Sequence, residues 1–206
     1  MEDVRNLKAL QLDALREVAN IGAGHAATAL SQLTDRTIMI SVPEISISRL
    51  EDVPQQIAEP DDPVVAVLMH MLGDLTGRTL LLMPEEDAKV LCDLIHRRDI
   101  GITKAFNEFE ESSLREAANI LAGAYLNALA EFLGMMLIPS VPSLVVDLAG
   151  AVLTTAYLNF GQERDFVLCV HTDLEFRDEG RRLSAQFLLL PDVASLKAIF
   201  DAVRID

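Results

Sequence analysis

One segment of this sequence occurs twice, and that repeat limits the possible folds more than any other feature. The run Glu17–Ile21 (EVANI) returns 99 residues later as Glu116–Ile120 (EAANI). Further positions recur with the same separation: Gly24 and Gly123, and the dipeptides Val42-Pro43 and Val141-Pro142. Two long copies are too few for a solenoid. They predict two tandem halves that are related by a pseudo-twofold axis.

The separation between the copies grows towards the end of the chain. The tripeptide Leu82–Pro84 resembles Leu189–Pro191, which lies 107 residues later. This difference predicts an insertion of about eight residues in the second copy, in the charged loops near residues 161–164 or 177–180. We therefore predict one domain over residues 1–206, built from a first half (1–99) and a second half (100–206).

Hydrophobic periodicity predicts that each half opens with a long helix, at residues 6–32 and 105–134. Each half closes with a helix that follows a proline, at Glu85–His96 and Asp192–Val203. The predicted strands are Thr37–Val42, Ile45–Leu50, Val64–Met71 and Arg78–Met83 in the first half, and Ala151–Phe160, Phe166–Asp173 and Leu183–Leu190 in the second.

The connections between these segments favour antiparallel pairing. The turn Gly73–Gly77 joins two strands as a hairpin, and the acidic stretch Glu51–Pro63, with three prolines, predicts a loop. Short strands joined by hairpins form antiparallel sheets against which helices pack. The predicted fold class is therefore α/β of the α+β kind, with a mainly antiparallel sheet.

Composition excludes several classes of function. The formal net charge of −15 opposes binding to nucleic acid and to anionic membranes. No apolar run approaches the ~18 residues that span a bilayer, and the charged start Met1–Arg5 lacks a signal-peptide core. We expect a cytoplasmic protein without membrane insertion. Cys92 and Cys169 lie in apolar runs, which indicates buried, reduced thiols, and no Cys or His pair has metal-ligand spacing.

Each long helix carries an apolar stripe with a polar stripe opposite. The predicted core stripes are Leu15, Val18, Gly22, Ala26, Ala29 and Leu33, and Leu114, Ala117, Leu121, Tyr125, Ala128 and Phe132. The polar stripes are Asp13, Glu17, Asn20 and Gly24, and Ser112, Glu116, Asn119 and Gly123. A solvated helix face is the ordinary interpretation of one such stripe. Asparagine, however, is a mediocre helix former and occurs in the middle of both helices, which favours a function.

These residues resemble the signature of the CheC, CheX and FliY phosphatase family. The motif positions are Asp13, Glu17, Asn20 and Pro43 in the first copy, and Ser112, Glu116, Asn119 and Pro142 in the second. The Asn precedes the Pro by 23 residues in both copies. The resemblance covers essentially the whole chain. Two motifs in a chain that ends at Asp206 lead us to expect the CheC type, without the C-terminal domain of FliY-like members.

The resemblance implies a fold and a reaction. It implies a pseudo-twofold α/β fold whose two motif helices are exposed on one surface. It also implies an enzyme, a phosphatase that hydrolyses the aspartyl phosphate of the response regulator CheY. No cofactor of its own is expected, because Mg²⁺ belongs to the phosphorylated regulator, and we expect a monomer.

The resemblance also implies roles for individual residues. Asn20 and Asn119 would hold a water in line with the phosphorus, and Glu17 and Glu116 would pair with the regulator's active-site lysine. Asp13, Pro43, Ser112 and Pro142 would support the geometry of the two sites. A second implied partner is the receptor deamidase CheD, which in the family docks on a short helix after the second motif proline. The matching stretch is Ser143–Leu148, with Asp147 as the candidate contact.

Other interpretations remain open at the level of sequence. A non-catalytic adaptor that binds CheY phosphate or CheD is the main alternative, and the two intact Glu–Asn pairs favour the enzyme. A flagellar-switch component would need a further domain. The run Gly22–Ala27 fits a loose dinucleotide-binding fingerprint but lies within a helical pattern without a preceding strand. The four histidines are scattered and indicate no catalytic pairing.

Overall fold

The order of helices and strands repeats along the chain. The computed structural model describes residues 9–49, 59–160, 166–177 and 180–202. The first half contains α1 (Ala9–Thr34), β1 (Ile38–Ile40), β2 (Glu44–Arg49), β3 (Pro63–Gly73), β4 (Gly77–Pro84) and α2 (Glu85–Ile95). The second half contains α3 (Glu108–Leu133), β5 (Leu137–Pro139), β6 (Ser143–Leu148), α4 (Ala149–Phe160), β7 (Phe166–Phe176), β8 (Arg181–Pro191) and α5 (Val193–Ala202).

The two halves exchange strands within one sheet. Over the described ranges, eight strands pair antiparallel in the order β1-β7-β8-β4-β3-β5, with β2 also on β7 and β6 also on β3. The first two strands of each half thus pair with a strand of the other half, and β4 and β8 pair at the centre. The predicted antiparallel, pseudo-twofold fold is confirmed, and neither half has a complete sheet of its own.

Strand register shows which residues of the two halves are equivalent. Ile38 pairs with Phe176, and Leu137, which lies 99 residues after Ile38, pairs with Gly73. Gly73 and Phe176 are therefore equivalent, and they lie 103 residues apart. The separation between the copies thus grows by four residues between the second and third strands of a half.

The side chains of β4 and β8 show that the sequence match in this region is wrong by one residue. Leu82 and Leu188 face the same side of the sheet, whereas Leu189 faces the other side. Because successive side chains of a strand point to opposite faces, β4 and β8 correspond at 106 residues and not at 107. The second copy is therefore seven residues longer than the first, by four between its second and third strands and by three between its third and fourth.

Each face of the sheet has its own apolar core. The larger core lies beneath α1, α2, α3 and α5 and includes Leu30, Met69, Leu126 and Phe187. The smaller core lies beneath α4, where Val152 and Leu153 contact a row of sheet residues. The two long helices thus share one surface of the molecule, as the family resemblance implies.

The segment after the second motif proline folds differently from the prediction. Residues 149–160 are helical, and the predicted strand Ala151–Phe160 is wrong. Ala149, Val152 and Leu153 are buried at helical spacing, which an apolar run rich in alanine also permits. The expected helix at Ser143–Leu148 is also wrong, because this segment is the strand β6 and pairs with β3 from Leu68 to Pro63.

Most other predictions agree with the structure within a few residues. The Gly73–Gly77 turn joins β3 and β4 as predicted. The strand β5 was not predicted, and most of the predicted Glu51–Pro63 loop lies outside the described residues. The predicted core stripe of α3 is buried except for Phe132, which is 44% exposed because it lies in the last turn of the helix.

Candidate functional site

The helices α1 and α3 lie side by side in opposite directions. Leu15 and Val18, early in α1, line a small cavity with Leu126 and Leu129, late in α3. The helices approach closely at Gly22, where a Cβ atom would lie 2.8 Å from Cδ1 of Tyr125. This close packing exposes one long face of each helix.

Local sequence fixes both ends of α3. The side chain of Asn107 accepts hydrogen bonds from the backbone N–H of Phe109 (2.8 Å) and Glu110 (3.4 Å), while Glu110 accepts one from the backbone N–H of Asn107. This reciprocal arrangement is a capping box. Gly134 ends the helix in the left-handed conformation, at φ 65°. The Ser112–Asn119 segment therefore lies on a well-defined helix.

The structure brings each predicted Glu–Asn pair together on the outer face of its helix. Glu17 and Asn20 are exposed and lie one turn apart on α1. Glu116 is exposed and Asn119 is half-buried on α3, with the same spacing. Residues three apart on a helix are neighbours, so each pair can contact one ligand together.

The two remaining positions of the helical motif, Asp13 and Ser112, are exposed on the same faces and differ in what they do. Asp13 accepts a hydrogen bond from Arg16 at 2.8 Å. In the second copy Ser112 offers no carboxylate, and the equivalent Arg115 binds Glu111 at 2.5 Å instead. Both copies therefore hold an arginine beside the catalytic candidate Glu through a carboxylate of the preceding turn.

These arginines were missed at the level of sequence, although a signal was present. The tripeptide Leu-Arg-Glu occurs in both copies and ends at Glu17 and Glu116. Extending the repeat by two residues towards the N-terminus would have included Arg16 and Arg115.

The motif prolines lie in the connections between the first two strands of each half. Pro43 is buried between β1 and β2, and Pro142 is half-buried before β6. In each copy the serine two residues earlier binds the neighbouring strand in both directions. The backbone N–H of Ser41 donates to the carbonyl of Asp173 (3.0 Å), and its hydroxyl accepts from the N–H of Asp173 (3.1 Å).

Ser140 makes the equivalent pair of bonds with His70, both at 2.9 Å. The sequence carried this signal too, because Ser-Val-Pro occurs in both copies. The repeated Ser–Pro connection fixes where the second strand of each half begins.

Asp147 lies apart from both Glu–Asn pairs. It is exposed on β6, opposite Val64 of β3, and accepts a hydrogen bond from the N–H of Leu148 at 2.7 Å. Val145, two residues earlier on the same face of the strand, is also exposed. The structure therefore separates the two helical sites from the candidate CheD contact, which lies on the edge of the sheet.

An exposed aromatic residue that the sequence did not indicate lies about two turns before the second Glu–Asn pair on α3. Phe109 is 63% exposed at the start of α3 and stacks on His96, with ring centroids 4.2 Å apart. The hydroxyl of Ser113 lies 3.1 Å from Nε2 of His96. Burial and the nearby Arg98 lower the pKa of His96. His96 thus supports the first turn of the helix that carries the second pair.

Two further observations concern metals and membranes. Within the ranges that the structure describes, no three His, Cys, Asp or Glu side chains form a group that could hold a metal ion. No helix in the same ranges combines the length and apolar character needed to cross a bilayer.

Comparison with solved structures supports the fold. The crystal structure of FliY from Thermotoga maritima superposes with a TM-score of 0.80, over 96% of this chain and 98% of that chain, at 22% identity. Among sequences, the flagellar motor switch phosphatase FliY of Bacillus subtilis is 28% identical over 123 residues, which is 59% of this chain and 32% of that protein.

The family follows from two independent matches. The model of the CheC-like family matches residues 10–47 and 109–146, two segments with the same 99-residue separation as the Glu–Asn pairs. The CheY-P phosphatase CheC of Bacillus subtilis is 35% identical over 205 residues, 98% of each chain. This chain belongs to the CheC-like family.

Proposed function

We propose that this protein is a phosphatase that hydrolyses the aspartyl phosphate of a CheY-type response regulator at two separate sites. The observation that carries the proposal is the pair of Glu-x2-Asn stripes on the outer faces of α1 and α3. The full-length similarity to the CheY-P phosphatase CheC of Bacillus subtilis supports the same substrate. Both pairs lie on outer helix faces, with Glu17, Asn20 and Glu116 exposed and Asn119 half-buried, which suits a substrate that is itself a folded protein.

The chemistry at each site is positioning. The regulator supplies the activated acyl phosphate with its own Mg²⁺ and lysine, so the phosphatase needs to hold a water in line with the phosphorus. The amide of Asn20 or Asn119 offers both a donor and an acceptor on a short side chain for this purpose. Glu17 or Glu116 pairs with the regulator's lysine and fixes the angle of docking.

The supporting residues act through these pairs. Asp13 holds Arg16, and Glu111 holds Arg115, so the cation beside each Glu is kept in place. Pro43 and Pro142 shape the strand connections and do not contact the substrate. With Mg²⁺ provided by the regulator, the protein acts without a cofactor of its own, as a cytoplasmic monomer.

The decisive experiment compares the decay of phosphorylated CheY with this protein and with its Asn variants. Asn20→Ala and Asn119→Ala each remove one water-positioning amide, at a cost on the order of a hundredfold at that site. Each single variant should keep the activity of the other site. With the double variant, phosphorylated CheY should lose its phosphate at close to the spontaneous rate.

Stability measurements separate chemistry from unfolding in this experiment. Neither amide belongs to the core, so each substitution should change the free energy of unfolding by only about 0.5 kcal/mol. A folded double variant that keeps most of the wild-type rate would show that the Glu–Asn pairs are not the active sites. Binding of phosphorylated CheY without faster decay would support the adaptor alternative.

We also propose that the deamidase CheD docks where β6 meets α4. Asp147 and the exposed Val145 line one side of a groove of about 120 Å³ between β6, the sheet and Thr155 of α4. An acidic residue within an apolar surface suits a dehydrated contact with a basic group.

Charge reversal tests this second proposal. Asp147→Lys should weaken binding of CheD by at least tenfold in a titration and leave basal phosphatase activity unchanged, because Asp147 is remote from both Glu–Asn pairs. Asp99→Lys is the matched control, an exposed charge reversal near the junction of the two halves. Equal CheD affinities for both variants would remove Asp147 from the interface.

A further inference from the structure

Each motif helix carries a glycine in its interior that no contact within the described part of the chain explains. Gly24 and Gly123 lie well inside helices of 26 residues, where glycine is less favourable than any residue except proline. Among the residues that the structure describes, a Cβ atom at either position would meet nothing within 4 Å. An alanine would therefore fit both positions and would favour the helix.

A third helical glycine, by contrast, is explained by a contact within the protein. Gly22 is buried at the crossing of α1 and α3, where a Cβ atom would lie 2.8 Å from the ring and 3.0 Å from the Cα atom of Tyr125. The second copy has Leu121 at this position, so the close contact exists at one end of the crossing only. Gly24 and Gly123, by contrast, are glycine in both copies.

The position of the two glycines relates them to the Glu–Asn pairs. Gly24 follows Asn20 by four residues and Glu17 by seven, which places all three on one face of α1 within two turns. Gly123 has the same relation to Asn119 and Glu116. A protein that docks onto either pair therefore also covers the glycine one turn further along the helix.

We infer that Gly24 and Gly123 are clearance positions, at which the missing side chain lets the phosphorylated receiver domain approach the helix backbone closely enough for the Asn to reach its phosphate. This inference rests on the proposed function and extends it to residues whose role is steric. The receiver is the occupant because the glycines are continuous with the pairs that bind it. The helix loses intrinsic stability at these positions, and the site gains a closer approach.

The test isolates one site at a time and varies only the size of the added side chain. Gly24→Ala and Gly24→Leu are made in the Asn119→Ala background, and Gly123→Ala and Gly123→Leu in the Asn20→Ala background. Alanine and leucine have similar helix propensities, so any effect of a stiffer helix is common to both. The phosphorylated receiver is one that the unmodified protein dephosphorylates.

We expect the added side chain to weaken binding of the phosphorylated receiver, and to weaken it more as the side chain becomes larger. Leucine should raise KM at least tenfold, alanine should raise it only slightly, and the midpoint of thermal unfolding should stay level or rise in all four variants. Gln32→Leu and Glu131→Leu are the matched controls, because they occupy equivalent exposed positions two turns beyond the glycines. Both controls should keep the KM of their backgrounds.

The outcomes distinguish this inference from the proposed function. If the Asn20→Ala, Asn119→Ala double variant retains activity, the assignment of the sites fails whatever the glycines do. If that variant is inactive and the leucine variants keep the KM of their backgrounds, the clearance inference is overturned. A fall in the unfolding midpoint of Gly24→Ala or Gly123→Ala would also overturn it, because it would reveal an intramolecular reason for the glycine.

Discussion

At the scale of single residues, the buried carboxylate of Asp93 organises the connection between the two halves. It accepts hydrogen bonds from the backbone N–H of Gly101 (2.7 Å), Ile102 (3.0 Å) and Thr103 (2.9 Å), and from the Thr103 hydroxyl (2.5 Å). Arg98 binds Thr103 and also Glu110, which forms the capping box of α3 with Asn107. The end of α2 is thereby tied to the start of the second motif helix.

We predict that Asp93→Ala lowers the free energy of unfolding by about 2 kcal/mol or more, because the buried N–H of Thr103 and the part-buried N–H of Gly101 lose their acceptor. Urea titration measures this change. Asp99→Ala, an exposed substitution six residues later, is the control and should change stability by about 0.5 kcal/mol or less. Equal midpoints for the two variants would contradict the role assigned to Asp93.

The same network predicts how stability depends on pH. Burial raises the pKa of Asp93, but the hydrogen bonds from Thr103, Gly101 and Ile102 outweigh it and hold the pKa below its ordinary value. The hydrogen bond from Arg98 likewise lowers the pKa of Glu110. Carboxyl groups with lowered pKa stabilise the fold above their unfolded values, near pH 4, and lose this contribution as the pH falls through their folded values. The free energy of unfolding of Asp93→Ala, measured at a series of pH values, should therefore fall less steeply below about pH 4 than that of the wild type.

Some residues of the candidate site could be predicted from the sequence and others could not. Glu17, Asn20 and their counterparts could be found because the repeat compares two copies of one site. The use of Asp13 could not be inferred, since its replacement by Ser112 hides the common element, an arginine held by a carboxylate. Only coordinates show that Arg115 binds Glu111 instead.

At the scale of elements, the crossing of α1 and α3 depends on a small residue of one helix that packs against a large residue of the other. Gly22 packs on Tyr125, whose hydroxyl lies 2.8 Å from that of Thr172 and whose ring stacks on Phe187. At the equivalent positions of the other copy the small and large residues are exchanged, as Ala26 and Leu121. The packing is therefore complementary without being identical at the two ends.

Gly22→Leu is predicted to lower the free energy of unfolding by about 2 kcal/mol or more, because the new side chain must displace Tyr125 and the backbone beside it. Gly24→Leu, on the exposed face of the same helix, should leave it unchanged or raise it, because leucine favours the helix more than glycine does. Chemical denaturation of both variants checks the contrast. If Gly22→Leu is as stable as Gly24→Leu, the close contact at the crossing does not limit the packing.

The segment after the second motif proline shows what the sequence of an element leaves undetermined. Residues 149–160 form an apolar run that suits a buried strand or a buried helix, and its neighbours decide between them. The side chains at Ala149, Val152 and Leu153 cover the second face of the sheet, which only a helix at this position can do. β6 escaped prediction because its side chains are mostly exposed and its partner β3 lies in the other half.

At the scale of the whole molecule, the exchange of strands makes the halves interdependent. The repeat predicts the pseudo-twofold relation, but it does not indicate which half supplies the neighbour of each strand. Here β1 and β2 lie on β7, and β5 and β6 lie on β3. Loss of either half would leave the other with an unpaired sheet edge and an uncovered apolar face.

The two cysteines, one in each half, can test this interdependence. Cys92 is buried in α2 and Cys169 in β7. Burial raises the pKa of Cys92 to about 12 and that of Cys169 to about 11, so both thiols should resist alkylation in the native protein at neutral pH. In a urea titration with a pulse of alkylating reagent, mass spectrometry of the digested protein reports the labelling of each thiol separately. Because the halves share one sheet, both thiols should become reactive at the same urea concentration. The helical circular dichroism signal should be lost at this concentration too. Separate midpoints for Cys92 and Cys169 would show that the halves unfold independently despite the exchanged strands.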